Sequence, residues 1–474
     1  MIGRLDCVRR KFLAFYLLPG PTAVHMAGME TIVFDAEMWQ RFLAYGNRLA
    51  AVLGNAARER GLFDYLTGLL LPGDRKSMEP MAAQLVTHQA EVSRRHQAIH
   101  HFTSEAQWDD LTVRSAVQGT VLPAMQQRAP IRHWIIDDTT LPKKGTHSVG
   151  VGPQYSGQVG HVINCQTVVS LALANAETSL PVDGTLYLPE DWALDVERRL
   201  HAGVPAEVTF RTKPEIALDQ VRAALAAGLP RGVVLADAAY GQDGNFRKAL
   251  RALKLAYAVG IQSTLLVVPQ GRARPAAPRR APRAAAHAGA VPAGVLARAL
   301  PSDQWQEVTW RDGDTGPLTS RFAAVRVRTA PSTERGRLGP KEWLLVEAAA
   351  KPGDRRFWLL TLPANTSMET LVYHAKGRNR VEQDYRELKQ DVGLDRFQGR
   401  GWRGFNHHVT LCLAAYGFLV RERSLFPPRP AVDHAAGSPH QNLHPHPLPI
   451  PRPDPERRPA TLPNLPQTYP NASL

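Results

Sequence analysis

Two short apolar segments that each end in an aspartate restrict the possible folds of this chain more than any other feature. Residues 134–138 read Trp-Ile-Ile-Asp-Asp, and residues 233–237 read Val-Val-Leu-Ala-Asp. Apolar runs of this length indicate buried strands. Helical patterns follow the second run, at about 245–253, and precede it, at about 214–227. Since the strands alternate with helices, the sequence predicts an α/β fold.

The charge balance favours a polyanionic partner. The 474 residues include 57 Lys and Arg against 43 Asp and Glu, which gives a net charge of +14. Such a surplus attracts nucleic acid, although a merely solvated basic surface has the same composition. Three cysteines without a Cys-x-x-Cys pair exclude a disulfide scaffold and a four-cysteine zinc site, and they favour the reducing cytoplasm. No apolar run approaches 18 residues, so we expect no membrane span.

Patterning and composition divide the chain into six segments. The predicted segments are a poorly ordered leader (1–28), a helical N-terminal domain (29–130), the first part of the α/β core (131–262), a β-rich insertion with an Arg/Ala/Pro linker (263–365), the C-terminal helices of the core (366–425) and a disordered proline-rich tail (426–474). The linker is the most basic stretch, because residues 271–300 contain six arginines and no acidic residue. It is interpreted as a flexible loop that is either solvated or bound to DNA.

Three acidic residues stand where a metal site could form. Asp138 and Asp237 lie at the ends of the two predicted strands, and Glu382 lies on the predicted C-terminal helix. Three carboxylates without Cys or His form a hard oxygen site that suits Mg²⁺ or Mn²⁺. Successive strand residues point to opposite faces, so we expect only one of Asp137 and Asp138 to face the metal. The pattern alone leaves open which one it is.

A cationic face is predicted on the helix that carries Glu382. Thr366 and Glu369 form a possible capping box, and the helix is expected to run to about Gln390, with a weak point at Gly377. Arg378, Glu382, Tyr385 and Lys389 are spaced by four, three and four residues, and therefore share one face. Such a face suits a phosphate backbone beside a metal, although a solvated helix with ion pairs would have the same spacing.

With these motifs in order, the chain resembles the DDE transposases of bacterial insertion sequences. The matching segments are Ile136–Gly145, Leu235–Gly241 and Arg380–Lys389. In addition, the residues at 378, 382 and 389 fit the Arg-x3-Glu-x6-Lys part of the signature Tyr-x2-Arg-x3-Glu-x6-Lys, whereas its tyrosine falls at Ala375. The resemblance covers roughly residues 60–425. It implies a mixed RNase H-like sheet flanked by helices, together with a DNA-binding N-terminal domain.

The resemblance also implies a catalytic site and a reaction. The catalytic acids and metal ligands would be Asp138, the aspartate before the threonine pair, together with Asp237 and Glu382. Two Mg²⁺ or Mn²⁺ ions would support cleavage at the ends of the element, after which the freed 3′-hydroxyl attacks target DNA. The separation of 382 − 237 = 145 positions fits a core interrupted by a β-rich insertion.

The partners that the resemblance implies are double-stranded DNA with terminal inverted repeats, target DNA, and a second copy of the chain in a synaptic complex. The predicted DNA contacts are Lys143, Lys144, Arg378, Tyr385, Lys389, Trp305 and Trp310. The two tryptophans either stack on a displaced base or pack within the β unit. Two alternatives to a transposase stay open, a catalytically inactive DNA-binding remnant and a metal-dependent nuclease without strand transfer.

Overall fold

The computed structural model describes most of the chain between residues 35 and 426. The described ranges are 35–73, 75–157, 159–270, 289–313, 316–330, 337–348 and 354–426, with the backbone of 22–24 and 32–34. The predicted leader lies outside these residues except for one short strand, and the predicted tail lies outside them except for residue 426. Most of the arginine-rich linker, residues 271–288, also lies outside them. No helix among the described residues is long and apolar enough to cross a membrane.

The first part of the described chain is helical. Its α-helices are α1 (Ala36–Ala50), α2 (Ala56–Leu70), α3 (Met78–Gln84), α4 (Val92–His100) and α5 (Asp110–Arg128). Asp35, Asn55 and Asp109 cap α1, α2 and α5 by accepting hydrogen bonds from backbone amides of the first turn. The helical character expected for 29–130 therefore holds for residues 36–128.

The strands form a large mixed sheet and one separate pair. They are β1 (Thr22–Val24), β2 (Ile32–Phe34), β3 (His133–Pro142), β4 (Gly152–Ser156), β5 (His161–Ala174), β6 (Ser179–Tyr187), β7 (Val233–Ala236), β8 (Tyr257–Ile261), β9 (Leu266–Pro269), β10 (Val291–Pro292), β11 (Gln306–Gly313), β12 (Gly316–Thr329), β13 (Lys341–Glu347) and β14 (Arg356–Leu360). Twelve of these strands, β3 to β14, belong to the mixed sheet, and β1 pairs only with β2. The predicted α/β class is confirmed.

The remaining helices follow or interrupt the strands of this sheet. They are α6 (Glu190–Leu194), α7 (Val196–Ala202), α8 (Lys213–Ala226), α9 (Ala238–Gly241), α10 (Gly244–Ala252), α11 (Ala293–Arg298), α12 (Met368–Lys376), α13 (Asn379–Gln390) and α14 (Trp402–Leu425). Helix α14 packs against the N-terminal helices, since the Tyr45 hydroxyl donates to the Ala414 carbonyl at 2.7 Å. Its long apolar face is buried in the core.

The centre of the sheet runs in the order β6-β5-β3-β7-β8. Strand β3 is antiparallel to β5 and parallel to β7, which is itself parallel to β8. Trp134, Ile135 and Ile136 are fully buried in this central strand, as expected for a strand covered on both faces. Strand β7 ends at Ala236, whereas β3 continues to Pro142, so Asp138 lies within β3 and not at its end as predicted.

The strands of the predicted insertion extend the same sheet. Strand β14 pairs antiparallel with β8, and β13, β12 and β9 follow in that order. Strands β9 to β14 span residues 266–360 and lie within the range 263–365 that was predicted for the insertion. The division of the chain into domains stays a prediction.

The predicted single helix at 366–390 is wrong, because the structure has two, which are separated at the expected weak point Gly377. Helix α12 ends before Gly377, and α13 begins at Asn379. A Cβ atom on Gly377 would come within 3.0 Å of both the His133 ring and the Leu235 side chain, so the chain between the helices lies directly on β3 and β7. The predicted cap is also displaced by one residue, since Ser367 accepts the hydrogen bond from the Thr370 amide.

Candidate metal centre

Three aspartates converge where β3 and β7 run side by side. Ile135 pairs with Leu235 in the parallel register, so Asp137 and Asp237 follow at the same level of the sheet. Asp137, Asp138 and Asp237 can each offer an oxygen, and these three oxygens lie within 4.8 Å of one another. The alternating strands and helices of the sequence therefore bring residues 100 positions apart into one cluster. We call these three residues the aspartate cluster.

Asp137 and Asp138 have different charged partners, as the alternation along a strand requires. The Arg378 guanidinium at the start of α13 donates to Asp137 Oδ1 at 2.8 Å. On the other side, Lys213 Nζ at the start of α8 donates to Asp138 Oδ2 at 2.6 Å. The Tyr240 hydroxyl from α9 also lies 3.4 Å from Asp138 Oδ1. The two side chains take opposite partners, yet an oxygen of each lies within the cluster, so the expectation that only one of them faces a metal stays a prediction.

Asp237 has a second role as a helix cap. Its Oδ1 accepts hydrogen bonds from the Ala239 and Tyr240 amides in the first turn of α9, at 2.9 and 3.4 Å. Helix α9 then lies against β8, where a Cβ atom on Gly241 would overlap the Gly260 carbonyl. The cap fixes the carboxylate at the edge of the sheet.

Burial and mutual repulsion raise the pKa of Asp137 to about 6. Desolvation is the main cause, and the nearby Asp138 and Asp237 carboxylates add to it, whereas Arg378 acts in the opposite direction. Like charges held this close disfavour ionisation. A divalent cation would relieve the repulsion, and the hard oxygens of the cluster fit Mg²⁺ or Mn²⁺.

Glu382 lies near this cluster but is not one of its three members. Its side chain is 59% exposed on α13, and its Oε1 is 3.8 Å from Arg378 Nη2. Arg378 therefore stands between Asp137 and Glu382. The predicted third acid faces solvent on the Asp137 side of β3.

The shared face predicted for α13 is divided between the interior and the surface. Tyr385 is buried, and its hydroxyl contacts the Ser170 hydroxyl of β5. The structure thus corrects its predicted role as a DNA contact, because the side chain lies in the core. Lys389 is also buried, and desolvation lowers its pKa.

The two predicted lysine contacts after β3 differ in exposure. Lys143 Nζ donates to the Phe397 carbonyl at 2.6 Å and is partly buried, whereas Lys144 is exposed. Lys143 therefore fixes the loop before α14, and Lys144 points to solvent.

Trp305 and Trp310 pack partly buried against the hydrophobic core. A cation lies over each ring, with Arg355 5.3 Å from the Trp305 centroid and Lys376 4.0 Å from the Trp310 centroid. The geometry agrees with packing in the β unit, which was one of the two expectations for these residues.

Two residues of the site were missed in the sequence. Lys213 is 75 positions from its partner Asp138, and Tyr240 is 102 positions away. The only local signal is that Lys213 opens a helix, where a cation is electrostatically disfavoured. Nothing in the spacing identifies the carboxylate that compensates it.

The comparisons with known proteins identify the class. The model of the DDE superfamily endonucleases matches residues 48–317, a range that includes the whole aspartate cluster and ends before Glu382. The chain therefore belongs to the DDE superfamily endonucleases, as its resemblance predicts. It is also 33% identical over 168 residues to the "probable transposase for insertion sequence element IS701" of Microchaete diplosiphon. That match covers 35% of this chain and only 41% of the relative.

Proposed function

We propose that this chain is a DNA transposase, which cuts the ends of an insertion element and joins them to target DNA. The observation that carries the proposal is the aspartate cluster, whose three oxygens lie within 4.8 Å of one another where β7 ends beside β3. Membership of the DDE endonucleases and the similarity to the probable IS701 transposase support it.

The order of the central strands supports an RNase H-like core. In β6-β5-β3-β7-β8, one antiparallel hairpin-linked half joins a parallel half through β3. This order also brings the three aspartates of the cluster together, because β3 and β7 are adjacent and parallel. On this proposal, β9 to β14 form an insertion that extends the core at β8.

We assign the metal ligands to Asp138, Asp237 and Glu382, with Asp137 as a further oxygen donor. Two Mg²⁺ or Mn²⁺ ions would activate the attacking oxygen and stabilise the leaving oxygen of a phosphodiester. Arg378 orients Asp137 through its 2.8 Å ion pair and reaches toward Glu382. The Asp237 cap holds its carboxylate in place before any ligand arrives, which reduces the reorganisation that the reaction requires.

The proposed partners are double-stranded DNA with terminal inverted repeats, a target duplex, and a second copy of the chain. The net charge of +14 supports a polyanionic substrate. Exposed Lys144, after β3, is a candidate phosphate contact. The helices over 36–128 are candidates for sequence recognition, and the reaction would take place on DNA in the bacterial cytoplasm.

The test is a cleavage and joining assay on DNA that carries the two ends of the element, with Mg²⁺ or Mn²⁺. We compare wild type with Asp137→Asn, Asp138→Asn and Glu382→Gln, each of which removes one charge with little change in shape. Glu369→Gln is the matched control for Glu382→Gln, because Glu369 is an exposed acid of the neighbouring helix α12. We expect Asp138→Asn and Glu382→Gln to abolish both steps, and Glu369→Gln to act like wild type.

Each other outcome selects an alternative. Loss of cleavage in Asp137→Asn together with normal cleavage in Asp138→Asn would transfer the ligand role to Asp137. Binding of the ends without cleavage by wild type would identify an inactive remnant. Cleaved ends that never join a target would identify a nuclease.

A further inference from the structure

Lys213 occupies a position where a helix does not favour a cation. It is the first residue of α8, directly after the N-cap Thr212. Thr212 and Glu215 form a reciprocal capping box, so the backbone of this turn is fixed. The amino end of a helix carries a partial positive charge and repels an ammonium group. A carboxylate outside the helix would offset this repulsion.

That carboxylate is Asp138. Lys213 Nζ lies 2.6 Å from Asp138 Oδ2, and the two side chains are 26% and 17% exposed. The ammonium also lies 5.6 Å from the centroid of the Tyr187 ring. The contact is therefore partly shielded from water, yet it is open enough for the lysine to exchange it for hydration.

The charges around the cluster nearly balance without a metal ion. Three ionised aspartates contribute −3, and Arg378 and Lys213 contribute +2, which leaves −1. Each cation compensates one of the adjacent residues of β3, and the two approach from opposite sides. Three carboxylates are thereby held together by internal counter-ions.

The two counter-ions differ in how readily they can leave. Arg378 bonds Asp137 and also lies 3.8 Å from Glu382, through a planar guanidinium. Lys213 presents a compact ammonium on a flexible four-carbon chain, and water hydrates that group strongly. Displacement of Lys213 therefore costs less than displacement of Arg378.

We propose that Lys213 is a positioning residue that occupies Asp138 in the metal-free protein and competes with the divalent cation for that carboxylate. This inference rests on the proposed function, since it requires the aspartate cluster to bind a metal. Its consequence has a definite sign. Removal of the lysine charge makes the cluster more negative, so the metal-free protein becomes less stable and binds the cation more tightly.

The experiment measures Mn²⁺ binding to the full chain without DNA, from the electron paramagnetic resonance signal of the free ion. Neutral variants are Lys213→Gln and Lys213→Met, of which the second keeps the apolar stem. Lys213→Arg keeps the charge. Arg222→Gln is the matched control, because Arg222 lies on the same helix and pairs with Asp219 instead.

We expect both neutral variants to bind Mn²⁺ about tenfold more tightly, which corresponds to about 1.4 kcal/mol. Their melting temperature without metal should fall, and Mn²⁺ should raise it by more than in wild type. Lys213→Arg should bind Mn²⁺ no more tightly than wild type, because it keeps the charge. Arg222→Gln should stay within about twofold of wild type in affinity.

Two results would overturn the inference, and they are distinguishable from each other. Unchanged or weaker Mn²⁺ binding by a folded neutral variant would mean that Lys213 does not compete with the metal, while the proposed metal centre would stand. If wild type binds no Mn²⁺, or if Asp237→Asn binds it as well as wild type does, the proposed metal centre is wrong, and the proposed competition is wrong with it.

Discussion

Helix α13 carries acidic residues on two faces, and their surroundings are opposite. Glu382 is 59% exposed and lies beside Arg378, near the aspartate cluster. Asp384 and Glu387 point the other way and are buried. Glu382 and Asp384 are only two positions apart on one helix, yet the first carboxylate faces solvent and the second lies in the core.

The buried face is fully supplied with hydrogen-bond donors. The Tyr416 hydroxyl donates to Asp384 Oδ1 at 2.9 Å, and the Ser179 hydroxyl contacts the other oxygen. Arg423 donates to Glu387 Oε2 at 2.9 Å, and Gln383 donates to Oε1 at 3.1 Å. The bonds from Tyr416 and Arg423 join α13 to α14, and the contact with Ser179 joins it to β6.

The comparison separates a structural role from a functional one. Buried carboxylates that find a protein donor for each oxygen stabilise an interface between elements. Carboxylates that face one another, as Asp137, Asp138 and Asp237 do, raise the energy of the site until a cation binds. We expect substitutions in the first group to change stability and substitutions in the second to change activity.

The largest expected effect is the loss of cleavage in Asp237→Asn. Asparagine caps a helix as well as aspartate does, so the variant keeps α9 and loses only the charge that a metal requires. DNA cleavage should fall by roughly 10³-fold or more, measured as initial rates with Mg²⁺.

Asp243→Asn is the matched control for Asp237→Asn. Asp243 caps the next helix, α10, through the Asn245 and Phe246 amides, and it is not one of the aspartate cluster. Cleavage by this variant should equal that of wild type. An equal loss in both variants would show that the effect of Asp237→Asn does not depend on its place in the aspartate cluster.

The next effect is on stability, from Arg423→Met on the buried side. This change leaves the fully buried Glu387 without its charged partner, which should lower the free energy of unfolding by about 3–5 kcal/mol. Chemical denaturation measures it. Adding Glu387→Leu should restore much of the loss, and a variant as stable as wild type would contradict the structural role of this pair.

A smaller effect is the pH dependence that Asp384 gives to stability. Burial raises the pKa of Asp384 to about 6, from an ordinary value of 3.8. The folded protein thus holds this proton more tightly, and the stabilisation is complete below pH 3.8 and is lost as the pH rises through about 6. Asp384→Asn removes this titrating group, so the free energy of unfolding of the variant should rise relative to that of wild type as the pH rises. Parallel stability curves for the two proteins would contradict the pKa shift.

The features that were predictable from the sequence are local ones. Apolar runs that end in Asp138 and Asp237 identify strands β3 and β7, because burial on both faces requires continuous apolar residues. Their convergence follows from parallel pairing. The role of Lys213 was not predictable, since only the packing of α8 brings it to Asp138.

The errors on α13 have the same physical origin. Spacing places Tyr385 and Glu382 on one face, but it cannot tell where the sheet covers that face, and Tyr385 is buried. The sequence marks Gly377 as a weak point of one helix, but it does not predict a full break there, because the cause is the close approach of His133 and Leu235 from other elements. Periodicity describes a helix in isolation, and contacts between distant segments decide its limits.

The smallest expected effect distinguishes the adjacent residues Lys143 and Lys144. Lys143 is bonded to the Phe397 carbonyl, whereas Lys144 is exposed, so the pair repeats on a small scale the contrast between the two faces of α13. Lys144→Ala should weaken DNA binding for all sequences alike and lower the slope of log affinity against log salt by about 1, as expected for one lost phosphate contact. Lys143→Ala should instead lower stability, because the loop before α14 loses its bond.

Titrations of a labelled duplex at several salt concentrations, together with thermal unfolding, measure both effects. An unchanged slope for Lys144→Ala would remove this lysine from the DNA interface, while a changed slope for a fully folded Lys143→Ala would show that bonding to the protein does not prevent a contact with phosphate.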